Sequence, residues 1–478
     1  MRRSLLASIA GLVWLAGCRG PAPIEPAPAA PARTATARAG TVQRPATVTA
    51  TSTAPATVTT TALSLEAAIE HALRHSPDLE AAAARVAQAQ ADRVAARSAF
   101  FPQLLGRVSY ARTNQPAQAF GMIVGQRRFR PTVDVNRRSA TQNVRPEIVA
   151  MVSLFRGLAD LRGLEAAERM LAARRLERTA AELLLSDAVA QAYYGALAAA
   201  ERKRVAEQAV ETVARELELA RVRRRHGAAL EADVLSLEVR LAAARGEVLQ
   251  AEAQLRTARA GLRRLLGWDP RQPLRLAPPA SLSLPAPPPL EQALAAARRR
   301  RPEIEAARLR VEASGKQLAA ARGARLPRIA AQASYGHDND TLALSRRRDN
   351  WTVGLSLELD LFTGGRHAAA VAAARARLRE ARAAERGVRL AIEQQVRAAH
   401  AALSVALQRL AVARTAVRQA DEALRLVQVR YRAGAAPVTR FLEAQLGWTN
   451  ARFAELAARY AAARAASALE AAMGGENR

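Results

Sequence analysis

The sequence predicts a mainly α-helical protein that also carries membrane-type β-strands, built by tandem duplication of one long-helix unit. Three observations predict it. Half of the 478 residues are hydrophobic yet only 4% are aromatic. About a quarter are alanine, the best helix former and small enough to let helices approach closely. Residue pairs recur along the chain at two fixed offsets, and short stretches of each copy alternate apolar and polar residues with period two. That composition argues against a sandwich, a propeller or a doubly wound α/β enzyme.

The N-terminus reads as an export signal over residues 1–17. Arg2 and Arg3 precede an apolar run from Leu5 to Ala16, too short to span a bilayer as a helix but suited to a signal-peptide core. The run ends Leu15-Ala16-Gly17-Cys18, and Cys18 is the only cysteine. This segment resembles the lipobox of bacterial lipoproteins, which implies that Cys18 is lipidated and becomes the mature N-terminus. Arg19 follows, where an aspartate would favour inner-membrane retention in enteric bacteria, so the outer membrane is the expected destination. Residues 18–61 are rich in Pro, Ala and Thr, as in Thr57-Val58-Thr59-Thr60-Thr61. Nothing there can bury a core, and the segment reads as an extended tether.

A duplication organises the rest. Leu65-Glu66, Pro77 and Glu80 match Leu290-Glu291, Pro302 and Glu305 at an offset of 225, which also carries Pro102 to Pro327 and Ser109-Tyr110 to Ser334-Tyr335. Beyond the hairpins the offset becomes 207, mapping Leu154-Phe155 and Gly157 onto Leu361-Phe362 and Gly364, and Gly227 onto Gly434. The first copy therefore holds an 18-residue insertion between Tyr110 and Leu154. Repeat 1 is assigned to 62–268 with a hairpin at 102–155. Repeat 2 is assigned to 289–475 with a hairpin at 327–362, and the linker between them to 269–288.

The hairpins carry the period-two signal. Trp351, Val353, Leu355, Leu357, Leu359 and Leu361 alternate with Thr352, Gly354, Ser356, Glu358 and Asp360, about ten residues with one apolar and one polar face, the length of a membrane β-strand. Ile329, Ala331, Ala333 and Tyr335 form the partner's apolar face. In the first copy Leu104, Val108 and Tyr110 oppose Arg107 and Ser109, and Ile148, Ala150, Val152 and Leu154 are expected to face lipid. Arg107, Glu358 and Asp360 are the candidate lumen-facing residues. Four strands cannot close a membrane barrel, which needs about eight. An open edge in lipid is excluded, so the strands demand an oligomer.

Between Gly365 and Gly434 there is no proline and only a single isolated glycine, Gly387, which predicts a helix of about 65 residues and roughly 100 Å. Val396, Leu403, Leu410, Val417, Leu424 and Tyr431 recur every seven residues, with Ala399, Ala406, Ala413, Ala420 and Val427 as a second seam. This heptad permits close approach of neighbouring helices. The first copy repeats it with Val189, Val210 and Leu217 against Ala192, Ala199, Ala206 and Val213. Gly227 and Gly434 are the expected reversals, where positive φ is cheap.

The formal net charge is +29, carried almost wholly by arginine, since Lys203 and Lys316 are the only lysines. The arginines are spread along the helices rather than clustered into a footprint, so no nucleic-acid partner is expected. No phosphate loop, nucleophile elbow or paired-cysteine metal site occurs, which excludes the common enzyme classes and any cofactor. His71 and His75 lie at i, i+4 without a third ligand, and Asp338, Asn339 and Asp340 read as hairpin-loop turn residues. From the residues alone, a structural or nucleic-acid-binding coiled coil remains the alternative.

Taken together, Leu361-Phe362-Thr363-Gly364-Gly365, Arg430-Tyr431-Arg432-Ala433-Gly434 and Phe441-Leu442-Glu443-Ala444-Gln445 resemble the TolC-like outer-membrane factors, with Leu154-Phe155-Arg156-Gly157, His226-Gly227 and Asp233-Val234-Leu235 as first-copy counterparts. The resemblance covers about residues 62–475. It implies an exit duct of a bacterial efflux or type I secretion system: a homotrimer whose twelve strands close a β-barrel in outer-membrane lipid above an α-barrel tunnel, with the linker as a belt. Gly227 and Gly434 would be the periplasmic tips that meet an adaptor protein and, through it, an inner-membrane pump. The resemblance also implies a gate at those tips, with Asp233, Tyr431 and Glu443 as candidates. Ala436 stands where some members have an arginine, and Arg440 where they have an acidic residue.

Overall fold

A computed structural model describes residues 62–132, 134, 140–269, 272–278, 282, 284–344 and 347–475. The expected signal, Cys18 and the tether lie outside the described residues.

Each copy opens with a helix broken at a proline. In the first, α1 (Leu65–His75) is followed by α2 (Pro77–Ser98), and in the second α6 (Leu290–Arg300) is followed by α7 (Pro302–Gly323). A residue before proline is pushed out of helical space, and Ser76 (ψ 126°) and Arg301 (ψ 114°) are both extended. The hairpins follow: β1 (Gln103–Thr113) with β2 (Thr141–Arg156), and β3 (Arg328–His337) with β4 (Asp349–Glu358). The insertion in the first hairpin holds a short helix, α3 (Pro116–Gly125), which the sequence reading did not anticipate. It has no helical period long enough to register, only a proline at its start.

The long helices α4 (Ala159–Arg225) and α8 (Arg366–Arg432) are 67 residues each, matching the length that the glycine spacing implied. They return through α5 (Glu231–Leu266) and α9 (Val438–Ala472). At both reversals glycine takes positive φ, 72° at Gly227 and 75° at Gly434. The amides of Ala228 and Ala435 then reach back to Arg223 and Arg430 carbonyls, each 2.8 Å, closing helix ends that would otherwise leave carbonyls unpaired.

The four strands form one antiparallel sheet in the order β1-β2-β3-β4, leaving β1 and β4 as edges. The helices continue this order. Near the sheet, α4 lies between α2 and α7, with Arg93 reaching Glu168 (3.3 Å), Arg169 reaching Glu312 (3.3 Å) and Lys316 reaching Glu165 (2.9 Å). Further along, α4 lies between α5 and α9, where Asp187 accepts from Ser467 (3.0 Å) and Glu201 from Tyr460 and Arg459. The second long helix, α8, packs on α7 through Leu318, Val371 and Ala374, and on α9 through Leu410 and Ala462. Val396, Leu403, Leu410, Val417 and Tyr431 are buried along its inner seam.

The linker belongs to the core beside α1. Leu63 pairs with Leu276 in a parallel bridge, and the Tyr193 hydroxyl is shared between the carbonyls of Leu63 (3.0 Å) and Ala277 (2.6 Å). Burial pushes the Tyr193 phenol up to about 12.

Candidate functional site

The sheet register gathers most of the apolar strand residues on one face, although Leu105, Val149 and Met151 lie on the other. Leu104, Val108 and Tyr110 stand opposite Ala150, Pro146 and Val144. Ile148, Ala150 and Val152 stand opposite Tyr335, Ala333 and Ala331, which in turn face Trp351, Val353 and Leu355. The bulky members of this set are exposed: Leu104 is 70% and Trp351 73% accessible. One residue departs from expectation. A bulge between Ser153 and Phe155 places Phe155 opposite Ile329 in the apolar set, while Leu154, 58% accessible, sits in the bulge without a register partner. An extra residue in one strand shifts the alternation by one. Exposed aromatics flank the face, Tyr110, Tyr335 and Trp351 toward the hairpin loops and Phe100, Phe101 and Phe362 toward the helices. Trp351 to Glu358 spans about 24 Å at the usual strand rise, close to the apolar band of membrane barrels.

The opposite face is charged. Arg107 pairs with Glu147 at 3.5 Å, Arg145 with Glu147 at 3.0 Å, and Arg328 with Glu358 at 3.5 Å. Arg107 and Glu358 therefore sit on the polar face as expected. Asp360 does not belong to the strand, which ends at Glu358. It lies in the turn into α8, where it pairs with Arg328 (3.2 Å), Arg366 (3.6 Å) and His367 (3.0 Å). Three basic partners at the sheet-to-helix junction outweigh the alternation that suggested a strand.

At the loop end, Asp338, Asn339 and Gln126 are polar yet buried. Asp338 accepts from Asn143 (2.6 Å), Arg145 (3.2 Å) and Asn350 (2.7 Å). Arg128 and Arg348 both pair with Asp340, at 2.8 and 3.3 Å. The turn residues of the second hairpin thus hold the first hairpin's insertion.

At the far end of the helices, Tyr431 is buried among Leu217, Val234, Leu237 and Phe441, with its ring stacked 5.4 Å from Phe441. Burial first, then the nearby Asp233 carboxylate, raises its phenol above the ordinary value. No hydrogen bond joins Tyr431 to Asp233 within the subunit. Glu443 is exposed and pairs with Arg440 at 3.2 Å. Sequence reading missed Glu216, a carboxylate on α4 only 1% accessible that binds Arg432 and accepts from Gln428 at 2.8 Å. The available signal was an acidic residue directly beside the seam position Leu217. His71 and His75 stack on each other with centroids 4.2 Å apart, and His75 Nδ1 is engaged by the His71 carbonyl at 3.0 Å.

Residues 68–268 and 293–475 match the model of the outer membrane efflux protein family. The chain belongs to that family. It is 29% identical over 416 residues to the pyoverdine export outer membrane protein OpmQ of Pseudomonas putida, covering 86% of each chain. To the protein CyaE of Bordetella pertussis it is 30% identical over 395 residues, covering 80% of this chain and 78% of CyaE. The outer membrane protein VceC of Vibrio cholerae shares the fold, with a TM-score of 0.72 at 23% identity over 87% of this chain and 97% of that one. The protein is therefore an outer-membrane exit duct for efflux or secretion, a passive channel rather than an enzyme. Family membership also decides against the coiled-coil alternative.

Proposed function

We propose that three copies of the chain close a twelve-stranded barrel in the outer membrane above a helical periplasmic tunnel. The observation that carries this reading is the coincidence of open edges. One flank of the subunit ends in β1, α2 and α5, and the other in β4 and α8. A single rotation that joins β4 to a neighbour's β1 also brings α8 against that neighbour's α2 and α5, a head-to-tail contact that closes into a ring. The helix α8 supports it. Ala376, Ala383 and Leu390 fall seven apart, as do Val405 and Val412 with Leu426 two heptads on, the second series shifted by one residue, and all are exposed. Val405 follows the buried Leu403 by two residues, about 200° around the helix. A helix with opposed apolar stripes is a barrel stave, and only one stripe is covered in the subunit. Leu235, Val239 and Leu249 on α5 are exposed on the complementary flank.

The Gly227 and Gly434 turns then form the periplasmic tips that meet an adaptor protein and, through it, an inner-membrane pump. Cys18 carries the lipid anchor, and the linker contributes to a belt beside α1. Arg107 and Glu358 face the lumen. Asp233, Tyr431 and Glu443 form the gate at the tips, where the closed assembly brings the Tyr431 hydroxyl onto Asp233. Its support is the proximity by which the Asp233 charge already acts on the phenol. Light scattering of detergent-extracted protein tests the assembly: a single trimer mass is expected, and a stable monomer would overturn it.

A further inference from the structure

The first hairpin's insertion is anchored to the sheet rather than left in solvent. Gln126, fully buried, donates from Nε2 to the Gln142 carbonyl at 2.8 Å and to Asn143 Oδ1 at 2.9 Å. Asn350 donates to the Gly125 carbonyl at 3.2 Å. Asn143, Arg145 and Asn350 all lie on the polar face by register, two-residue steps from Glu147 or Thr352. The end of α3 therefore rests on the charged side of the sheet, and a buried network with its members bonded on several sides is costly to open.

The surface that α3 presents there is out of character with that wall. The helix contains no charged residue. Ala119 and Ile123 are buried, while Phe120 and Val124 on the adjoining stripe are each 43% accessible. Phe129 packs edge-on against Phe120 with centroids 5.4 Å apart. The described loop residues of the second hairpin, which lacks the insertion, form no helix, though Leu342 and Leu344 there are exposed.

We infer that α3 forms an outer constriction of the duct, in which Phe120, Val124 and Phe129 of three subunits make an apolar collar that limits the size of what leaves. This rests on the proposed trimer with its polar face inward. Twelve strands about 4.8 Å apart and tilted by about 40° make a ring about 24 Å across. Three mutually touching helices of about 11 Å thickness fill a circle of about the same width. Held against the inner wall, three α3 segments occupy most of the mouth.

The collar is tested by labelling from outside. Cells carry the full chain with Ser356→Cys, deep in the barrel on the polar face, and are treated with either a small or a bulky membrane-impermeant maleimide. The small reagent should label quickly in all variants. The bulky one should label at least tenfold faster when Phe120→Ala, Val124→Ala and Phe129→Ala are combined than when the three side chains are present. Equal rates of bulky labelling in the two backgrounds overturn the collar while leaving the inward polar face intact. Failure of the small reagent to label at all overturns both. Phe120→Ser alone, a milder change to the fold, should raise the bulky rate by severalfold, and no rise in a correctly assembled trimer also counts against the collar.

Discussion

Tyr431 contributes both packing and a hydroxyl, and Tyr431→Phe separates the two. A hydrogen bond from a phenol to a carboxylate is worth about 1.5–3 kcal/mol, enough to bias a two-state gate by about ten- to a hundredfold. Tyr431→Phe and Asp233→Ala should each raise the conductance of the closed trimer, and the double variant should add little beyond either. Additive effects would dissolve the pairing. A different kind of constraint acts at Gly157, where φ is 62° and an added Cβ would sit 1.9 Å from the Gly323 carbonyl oxygen. Its second-copy counterpart, Gly364, has φ 57° but open space around it. Gly157→Ala should abolish trimer assembly, whereas Gly364→Ala should cost only about 1–2 kcal/mol of left-handed strain, read from thermal melts of the two purified variants. Tyr193 supplies a titration. Its folded-state value near 12 exceeds the ordinary 10, so the unfolded chain releases this proton first as pH rises. The stability it contributes is complete below pH 10 and is lost between about 10 and 12. Tyr193→Phe should flatten that part of the melting-temperature profile, and an unchanged profile would assign the loss elsewhere.

The strands and long helices were legible because each has one period and one covered face. Seven-residue spacing ending at Tyr431 and the glycines at 365 and 434 gave α8 its length, and alternation gave β4 its faces. What escaped were features set by specific pairing rather than by a period. The bulge at Ser153 is fixed by pairing with β3, which no local pattern encodes. Asp360 continued the alternation but is held by Arg328, Arg366 and His367, so ion pairing ended the strand early. The insertion's helix and the carboxylate Glu216 depend on partners about two hundred residues away. The strand faces make a direct prediction. Ser356→Cys should react with a membrane-impermeant thiol reagent and Leu357→Cys should be protected by lipid. Equal reaction would mean that the register has been misassigned by one residue, which turns every side chain to the other face.

On the scale of the molecule, the arginines behind the +29 charge are spread along the helices, many of them paired with carboxylates, and insertion of the membrane fold is not expected to depend on them. Nor should it depend on the lipid. One or two acyl chains tether a protein to a bilayer, whereas a closed barrel is held there by its own apolar wall. Cys18→Ser, given a cleavable signal, should still yield outer-membrane trimers, and loss of insertion would show that the lipid directs assembly. The duct itself is tested most directly by single-channel recording of the detergent-extracted trimer in a planar bilayer. Discrete conductance steps should appear at the trimer fraction, increase when Tyr431→Phe and Asp233→Ala weaken the tip, and be absent from monomer. A pure, correctly sized trimer that leaves the bilayer silent even with the tip weakened would contradict the account.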